Sequence, residues 1–314
     1  MPAFLDFEKP IAELDARIAE LRDTAEANNA LEIDAEVARL QARADRLLRE
    51  TYAKLTPWQK AQVARHPERP HLKDYLAGFV TDFILLAGDR AFADDQAIQG
   101  GLGRIGGRRV MVIGQEKGDD TASRLKHNFG MAKPEGYRKA IRLMRLADRF
   151  GLPVVTLVDT AGAFPGVQAE ERGQAEAIAR STDQCLALSV PVVAAIVGEG
   201  GSGGAVALAA ADRVLMFEHA IYSVISPEGA SSILWRTADK AADAAEAMKI
   251  TAADLRQLGV VDRVVAEPVG GAHRDPTAAI AALGEAIGEE LDALAEQSAP
   301  ALIERRREKF LSIG

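Results

Sequence analysis

Apolar residues recur every three or four positions near the start of the chain and later switch to short continuous runs. Ile11, Leu14, Ile18 and Leu21 form one stripe; Ile33, Val37, Leu40, Ala44 and Leu47 form a second, so residues 10–66 are expected to be helical. Asn28 and Asn29 separate the stripes, which predicts a helical hairpin. Such an arm packs on its own chain or on a partner subunit, and packing on its own chain is the expectation. Residues 67–109 are interrupted by Pro67, Pro70, Gly88, Gly100, Gly101 and Gly103. They read as a connecting segment leading into a β-hairpin with Gly106-Gly107 as its turn.

Beyond this point β-branched runs alternate with amphipathic stretches. Strands are expected over 110–113, 154–158, 192–197, 213–217 and 260–265, and helices over 134–149, 169–188, 203–211, 227–235 and 239–249. Continuous apolar strands separated by helices imply a buried, mainly parallel sheet, hence an α/β fold. Residues 276–312 read as one or two further helices, with the charged run 304–309 as a solvated face. The expected organisation is a helical arm over 1–66, an α/β core over 67–275 and C-terminal helices over 276–314.

Composition narrows the chemistry. The 314 residues carry a formal net charge of −8, which argues against general nucleic-acid binding. One cysteine, Cys185, allows neither an internal disulfide nor a multi-thiolate zinc site, and the five histidines show no close ligand spacing, so no metal is expected. Asp6, Glu8 and Glu13 interrupt any signal-peptide run, and the apolar stretch 190–197 is far shorter than the ~20 residues of a membrane helix. A cytoplasmic protein without membrane association is the expectation. Against the acidic whole, residues 104–145 hold eleven Lys/Arg and only four acids, a local balance of +7 that suits an acidic partner or a phosphate-bearing ligand. Arg104, Arg108, Lys126 and Lys133 are the residues singled out for such a contact.

Two glycine-rich turns follow consecutive expected strands. The first spans 159–166, from Asp159 through Gly162, Ala163, Phe164 and Pro165 to Gly166. The second spans 198–204 and holds five glycines, Gly198, Gly200, Gly201, Gly203 and Gly204, around Glu199 and Ser202. Without a Cβ, backbone N–H groups can face a ligand, and at a helix start they are unpaired and carry the positive end of the dipole. Two such turns at neighbouring strand ends suit an anion or a developing oxyanion. Five glycines in seven residues exceed what close packing alone requires.

Other readings of these turns are weaker. Gly198, Gly200 and Gly203 spell GxGxxG with Glu218 about twenty residues on, but the following helix is short for a dinucleotide-binding crossover and the motif sits late in the sheet. The 159–162 stretch mimics a GTPase switch, yet the chain has no Gly-Lys dipeptide and so no P-loop. Ser202 has no histidine placed as its base. Catalysis here points to backbone stabilisation of charge.

The second turn, with Asp212 ending the helix after it, resembles the crotonase superfamily. Combined with the first turn, with Glu170-Glu171-Arg172-Gly173-Gln174 and with Ser223-Val224-Ile225-Ser226-Pro227-Glu228-Gly229, it resembles the carboxyltransferase alpha subunits of bacterial acetyl-coenzyme A carboxylase. The resemblance runs nearly end to end, through Arg65-His66-Pro67, Asn128-Phe129-Gly130-Met131, Pro134-Glu135-Gly136-Tyr137-Arg138 and Gly270-Gly271-Ala272-His273-Arg274.

The resemblance implies a crotonase-like (ClpP/crotonase) superhelix of ββα units carrying an N-terminal helical hairpin and C-terminal helices. It implies an α2β2 carboxyltransferase with a beta subunit of similar fold, active sites between unlike subunits, and zinc on the beta subunit. Carboxybiotin on a biotin carboxyl carrier protein gives its carboxyl group to acetyl-CoA, forming malonyl-CoA, the first committed step of fatty acid synthesis. ATP is used only by the biotin carboxylase component, and no cofactor is bound covalently to this chain. Gly203 and Gly204 match the amides that hold the ureido oxyanion; beyond the resemblance, Gly162 or the amide of Ala163 is expected to add a donor from the first turn. The carboxybiotin pocket is expected from Gly200, Gly201, Ser202, Phe164, Pro165, Gly166, Ser226, Glu228 and Gly229.

The chain departs from the usual family pattern in three places. Ala161 and Phe164 stand where relatives carry proline and tyrosine, so a tyrosine hydroxyl has no role here, and Ala230 replaces a frequent cysteine. The alternatives are a stand-alone acyl-CoA hydratase/isomerase, which needs a carboxylate base such as Glu199, Glu170 or Glu228, and a non-catalytic assembly paralogue.

Overall fold

A computed structural model describes residues 3–28 and 31–313. The two amphipathic stripes become helices α1 (Lys9–Asn28) and α2 (Leu31–Tyr52). They close on each other through Ile18, Leu40 and Ala44, with Leu14, Leu21 and Val37 around them. Asn28 ends α1, and Asn29, the other residue expected to separate the helices, lies outside the described residues. The base of this hairpin packs on its own chain: buried Glu8 accepts from the Tyr52 hydroxyl at 3.0 Å and from Arg274 at 2.8 Å, and Tyr52 lies edge-on to His219.

The breaker-rich segment holds more order than expected. Helices α3 (Pro57–Ala64) and α4 (Leu72–Phe79) precede strands β1 (Thr81–Leu85), β2 (Ile98–Ile105) and β3 (Arg108–Gln115). The expected β2–β3 hairpin is present, and both turn glycines have positive φ, 55° at Gly106 and 80° at Gly107. Next come α5 (Thr121–Lys126), α6 (Pro134–Arg149), β4 (Val154–Thr160), α7 (Val167–Glu171), α8 (Gln174–Ala187), β5 (Val192–Gly201) and α9 (Ser202–Ala209). The chain continues through β6 (Arg213–Phe217), β7 (Ile221–Ser223), α10 (Pro227–Trp235), α11 (Ala241–Ala247), α12 (Ala252–Gln257), β8 (Arg263–Val265), α13 (Pro276–Ala295) and α14 (Ala299–Leu311).

The strands form one sheet in the order β1-β2-β3-β4-β5-β6-β8, antiparallel at β1–β3 and parallel from β3 onward. β4 and β5 are buried at every position, as their unbroken apolar runs require. Near its end β5 leaves β6 and pairs with β7, matching Gly201 to Ser223. The expected helix over 169–188 is broken at Gly173, whose left-handed φ of 82° divides α7 from α8. The strand expected over 260–265 is only Arg263–Val265, because the preceding residues turn out of α12. None of the described helices is long and apolar enough to cross a membrane.

The charged run 304–309 is solvated at Glu304, Arg305, Arg307 and Glu308, as expected, but Arg306 and Lys309 turn inward. Arg306 is 1% exposed and its guanidinium meets Asp212 at 2.7 and 2.9 Å while donating to the carbonyls of Cys185, Leu188 and Val190. Lys309 pairs with Asp262, and Leu302 joins Leu283, Ile287 and Leu291 in the main core. The helical period lets α14 turn one charged face inward within an otherwise solvated run.

A second buried ionic group sits beneath α3. Arg69 donates to both oxygens of Glu267 and to the carbonyl of Val197. Burial opposes the ionisation of Glu267, yet Arg69 holds its carboxyl down at about 2. Beside it His273 stacks on His66 with ring centres 3.8 Å apart. Burial, then the neighbouring His66 and Arg69, push His273 from 6.5 down to about 3.

Replacing Arg306 by methionine leaves Asp212 charged and unpaired in the core, and is expected to destabilise the chain by about 3–5 kcal/mol in denaturant unfolding. Arg305→Met, on the exposed side of the same helix, is expected to stay within about 0.5 kcal/mol. The unfolded chain protonates His273 below about 6.5 while the folded chain does not until about 3, so stability falls as pH drops through that window. Glu267 adds a further loss between 4.5 and 2. His273→Gln is expected to flatten the upper part of this pH–stability curve.

Candidate active site

β4 and β5 are parallel neighbours, so the two glycine turns leave the sheet side by side, with Thr160 paired to Gly200. Their backbones approach too closely for side chains. A Cβ at Gly204 would lie 2.7 Å from the carbonyl carbon of Gly162 and 3.0 Å from the Ala163 nitrogen, and one at Gly201 would collide with the Ala161 carbonyl. Gly203 differs, because a Cβ there would meet only Ile178 side-chain carbons, at 3.2 and 3.5 Å.

Ser202, with φ +53°, turns the chain sharply from β5 into α9. No side chain caps that helix, and among the described residues no loop carbonyl accepts from the amides of Gly203 or Gly204. These first-turn N–H groups have no intrahelical partner and carry the positive end of the α9 dipole. In the first turn, the Thr160 hydroxyl accepts from the Gly162 amide at 3.1 Å and donates to its carbonyl at 2.7 Å. Gly162, expected as an alternative donor, therefore has its N–H engaged, whereas the Ala163 amide has no protein acceptor among the described residues.

Buried side chains hold the turns in register. Gln115, at the end of β3, accepts from the Asp159 amide at 3.1 Å and donates to the Gly204 carbonyl at 2.9 Å, bridging both turns. Asp159 accepts the Glu199 amide at 2.9 Å and the Lys117 ammonium at 2.6 Å. Its carboxylate occupies the space that a Cβ at Gly198 would need. Arg65, just after α3, then joins Glu199 at 2.8 Å to Glu228 at 2.6 Å. Lys117 also reaches Glu199 at 3.8 Å, so the ions run from Asp159 through Lys117, Glu199 and Arg65 to Glu228, at the start of α10. Burial opposes the charge on Glu228, but Arg65 outweighs it and holds the carboxyl below its usual range.

The expected pocket residues divide into groups. Ala163, Gly201, Ser202, Gly203 and Gly204 meet where the turns converge. Phe164 lies beneath the Lys133 ammonium, 4.9 Å from its ring centre, and Gly166 packs against the same ring. Pro165 is exposed beside it. Ser226 caps α10 by accepting from the Gly229 amide at 3.1 Å, and this helix start reaches the turns through Glu228 and Arg65. A cleft of about 250 Å³ opens between Arg65, His71, Lys117, Arg124, Phe129 and Ala161, on the ionic side of the turns; Gly203 and Gly204 do not line it.

The basic segment 104–145 does not act as one patch. Arg104 pairs with Asp82 and Arg108 with Asp292, beside the hairpin, while Arg138 pairs with Asp89 and Lys139 with Asp94. Lys126 and Lys133 line a depression that extends to Arg172. Gln115 and Arg65 escaped attention as site residues in the sequence. Gln115 carried no pattern, and Arg65 was visible only as part of Arg65-His66-Pro67.

The chain matches the family described as acetyl co-enzyme A carboxylase carboxyltransferase-like over residues 4–314. It is 78% identical over 314 residues to the acetyl-coenzyme A carboxylase carboxyl transferase subunit alpha of Rhizorhabdus wittichii, and 67% identical to that of Zymomonas mobilis, with 100% of each chain covered in both pairs. Among solved structures it resembles a transcarboxylase 12S chain with a TM-score of 0.60 and 22% identity, over 73% of this chain and 41% of that one. It also resembles a chain of the Pseudomonas malonate decarboxylase MdcD-MdcE hetero-dimer with a TM-score of 0.55 and 17% identity, over 68% and 88%. The fold is crotonase-like, as the glycine turns led us to expect, and the chain belongs to the acetyl-coenzyme A carboxylase carboxyltransferase family as one of its alpha subunits.

Proposed function

We propose that this alpha subunit forms the biotin side of the carboxyltransferase site. Carboxybiotin arrives on a separate carrier protein, and its carboxyl group passes to acetyl-CoA to give malonyl-CoA. The observation that carries this reading is the pair of unpartnered amides at Gly203 and Gly204, set against the free Ala163 amide. As the carboxyl group leaves biotin, negative charge grows on the ureido oxygen. Donors fixed in advance stabilise that charge without reorganising, and losing one such donor typically costs about 3–4 kcal/mol. Thr160 and Gln115 keep the turns from relaxing away from this geometry.

An alpha subunit is one part of a multi-subunit carboxyltransferase. In our reading its partner is a zinc-bearing beta subunit in an α2β2 assembly that binds acetyl-CoA. The carrier protein and an ATP-using biotin carboxylase complete the system, in the cytoplasm. The engagement of Glu199 and Glu228 by Arg65 favours this reading over a stand-alone hydratase or isomerase. Glu199 is tied up in its ion pair with Arg65, and Glu228, held below its usual pKa, is a weak general base.

With the beta subunit and carboxylated carrier, the complex is expected to form malonyl-CoA from acetyl-CoA, and this chain alone is not; activity without a partner would overturn the reading. If main-chain donors carry the chemistry, Gly203→Ala keeps its N–H, touches only Ile178 and should stay within a few-fold of the parent kcat. Gly204→Ala forces the turns apart and should lower kcat by about 10²–10³-fold. Equal rates for the two variants in assembled complexes would count against the amide role.

Arg65→Gln is expected to loosen the second turn and the start of α10 without touching substrate. It should lower kcat while leaving the KM for acetyl-CoA near its parent value, with partial recovery in Arg65→Lys. A change confined to KM would place Arg65 in substrate binding instead.

A further inference from the structure

The ion pairs of the basic segment 104–145 leave two arginines of α6 over. Arg142 and Arg145 share a face of that helix with Arg138, at helical spacing. Arg142 donates through Nε to the Gly88 carbonyl at 3.0 Å and through Nη2 to those of Leu86 and Ala87 at 3.0 and 3.1 Å. These bonds fix the guanidinium in place and leave its Nη1 without a protein acceptor among the described residues. Arg145 donates only through Nε, to the Gln184 side chain at 2.9 Å. Neither arginine has a carboxylate within ion-pair reach among the described residues. Burial, then the charge of Arg90, lowers the pKa of Arg142 from its ordinary value.

Both line a groove of about 550 Å³ between α6, α8 and the loop that joins β1 to β2. Arg90 stands on the loop wall, exposed and without an ion-pair partner among the described residues. Arg180 stands on the α8 wall, paired with Glu176 of the same helix. The two carboxylates that border the groove are committed elsewhere. One oxygen of Asp89 accepts the amides of Ala91, Phe92 and Ala93 and the other accepts Arg138, while Glu176 holds Arg180. Five arginines against two acids give the lining a balance of +3 in a chain of −8. Guanidinium groups gathered on three walls repel one another, and an anion set between them relieves that repulsion.

We propose that this groove is a ligand site for a small molecule carrying two adjacent phosphates. Guanidinium forks match phosphate oxygens two at a time, and the fork of Arg142 is already held in place by the loop carbonyls. One phosphate monoester supplies a charge of about −1.5 to −2 at neutral pH, so the balance of the lining calls for two phosphate groups. Three walls and a volume of this size suit a small molecule better than an acidic segment of another protein. None of the glycine-turn residues lines the groove, so the binding is separate from the transfer chemistry proposed above.

Isothermal titration of the full chain with inorganic pyrophosphate should show one saturable site, bound about tenfold or more tightly than orthophosphate. Arg90→Gln/Arg145→Gln removes two exposed guanidinium groups, so the variant should melt at the parent temperature and bind pyrophosphate about tenfold or more weakly. Arg305→Gln/Arg307→Gln takes the same charge from the exposed side of α14 and should bind as the parent does. Absence of saturable binding overturns the proposal, and so does equal affinity for pyrophosphate and orthophosphate. Equal losses in the two double variants also overturn it, because they report net charge alone. Should the first variant misfold, Arg145→Glu alone repeats the test. CoA and free nucleotides both carry the diphosphate group, and the assembled complex separates them. Lost pyrophosphate binding with a raised KM for acetyl-CoA assigns the groove to the substrate's own phosphates, whereas the same loss with an unchanged KM assigns it to a separate nucleotide. A variant that binds pyrophosphate as the parent does but needs more carrier protein would make the groove a protein contact and overturn the ligand site.

Discussion

Backbone meets backbone where β4 and β5 end, and that contact governs the surrounding structure. Gly201 lies against the Ala161 carbonyl and Gly204 against Gly162 and Ala163, at separations no side chain tolerates. Neighbouring parallel strands create the proximity, and absent Cβ atoms permit it. What emerges is a pair of close-set turns that carry amides without protein acceptors among the described residues. Their rigidity comes from side chains used as ties, Thr160 within one turn and Gln115 between the two.

Charge in this molecule is arranged around those turns rather than spread over its surface. Lys117 reaches Asp159 and Arg65 reaches Glu199, so each strand end is clamped by an ion from a different part of the chain. Buried ions are held only where each has partners, and here they link the N-terminal segment to α10. The helical hairpin joins the same body through Glu8 and Arg274. Distant segments therefore bear on the geometry of a few amide groups.

Much of this was legible in the sequence because it is local. Strand 213–217, helix 134–149 and the turn at Gly106-Gly107 follow from period and breakers within a dozen residues. The glycine turns were legible because five glycines in seven residues have few uses. The three-residue strand β7 was not, since its pairing with β5 sets its conformation more than its own composition does. Gly173 looked tolerable inside a helix until its left-handed φ divided α7 from α8. The ties at Arg65 and Gln115 span 134 and 89 residues, and no short-range pattern announces them. Arg306 was misread for a related reason: hydropathy averages a helix, and the partner that draws one arginine inward lies 94 residues earlier.

That last pairing has a bearing on how the chain is made. Asp212 lies in the short bend between α9 and β6, beyond the helix it was expected to end, and its counter-charge is translated 94 residues later. Until Arg306 has emerged from the ribosome, the growing polypeptide must keep an acid near its centre either hydrated or protonated. Final closure of this part of the interior therefore waits on a residue made 94 positions after the acid it neutralises.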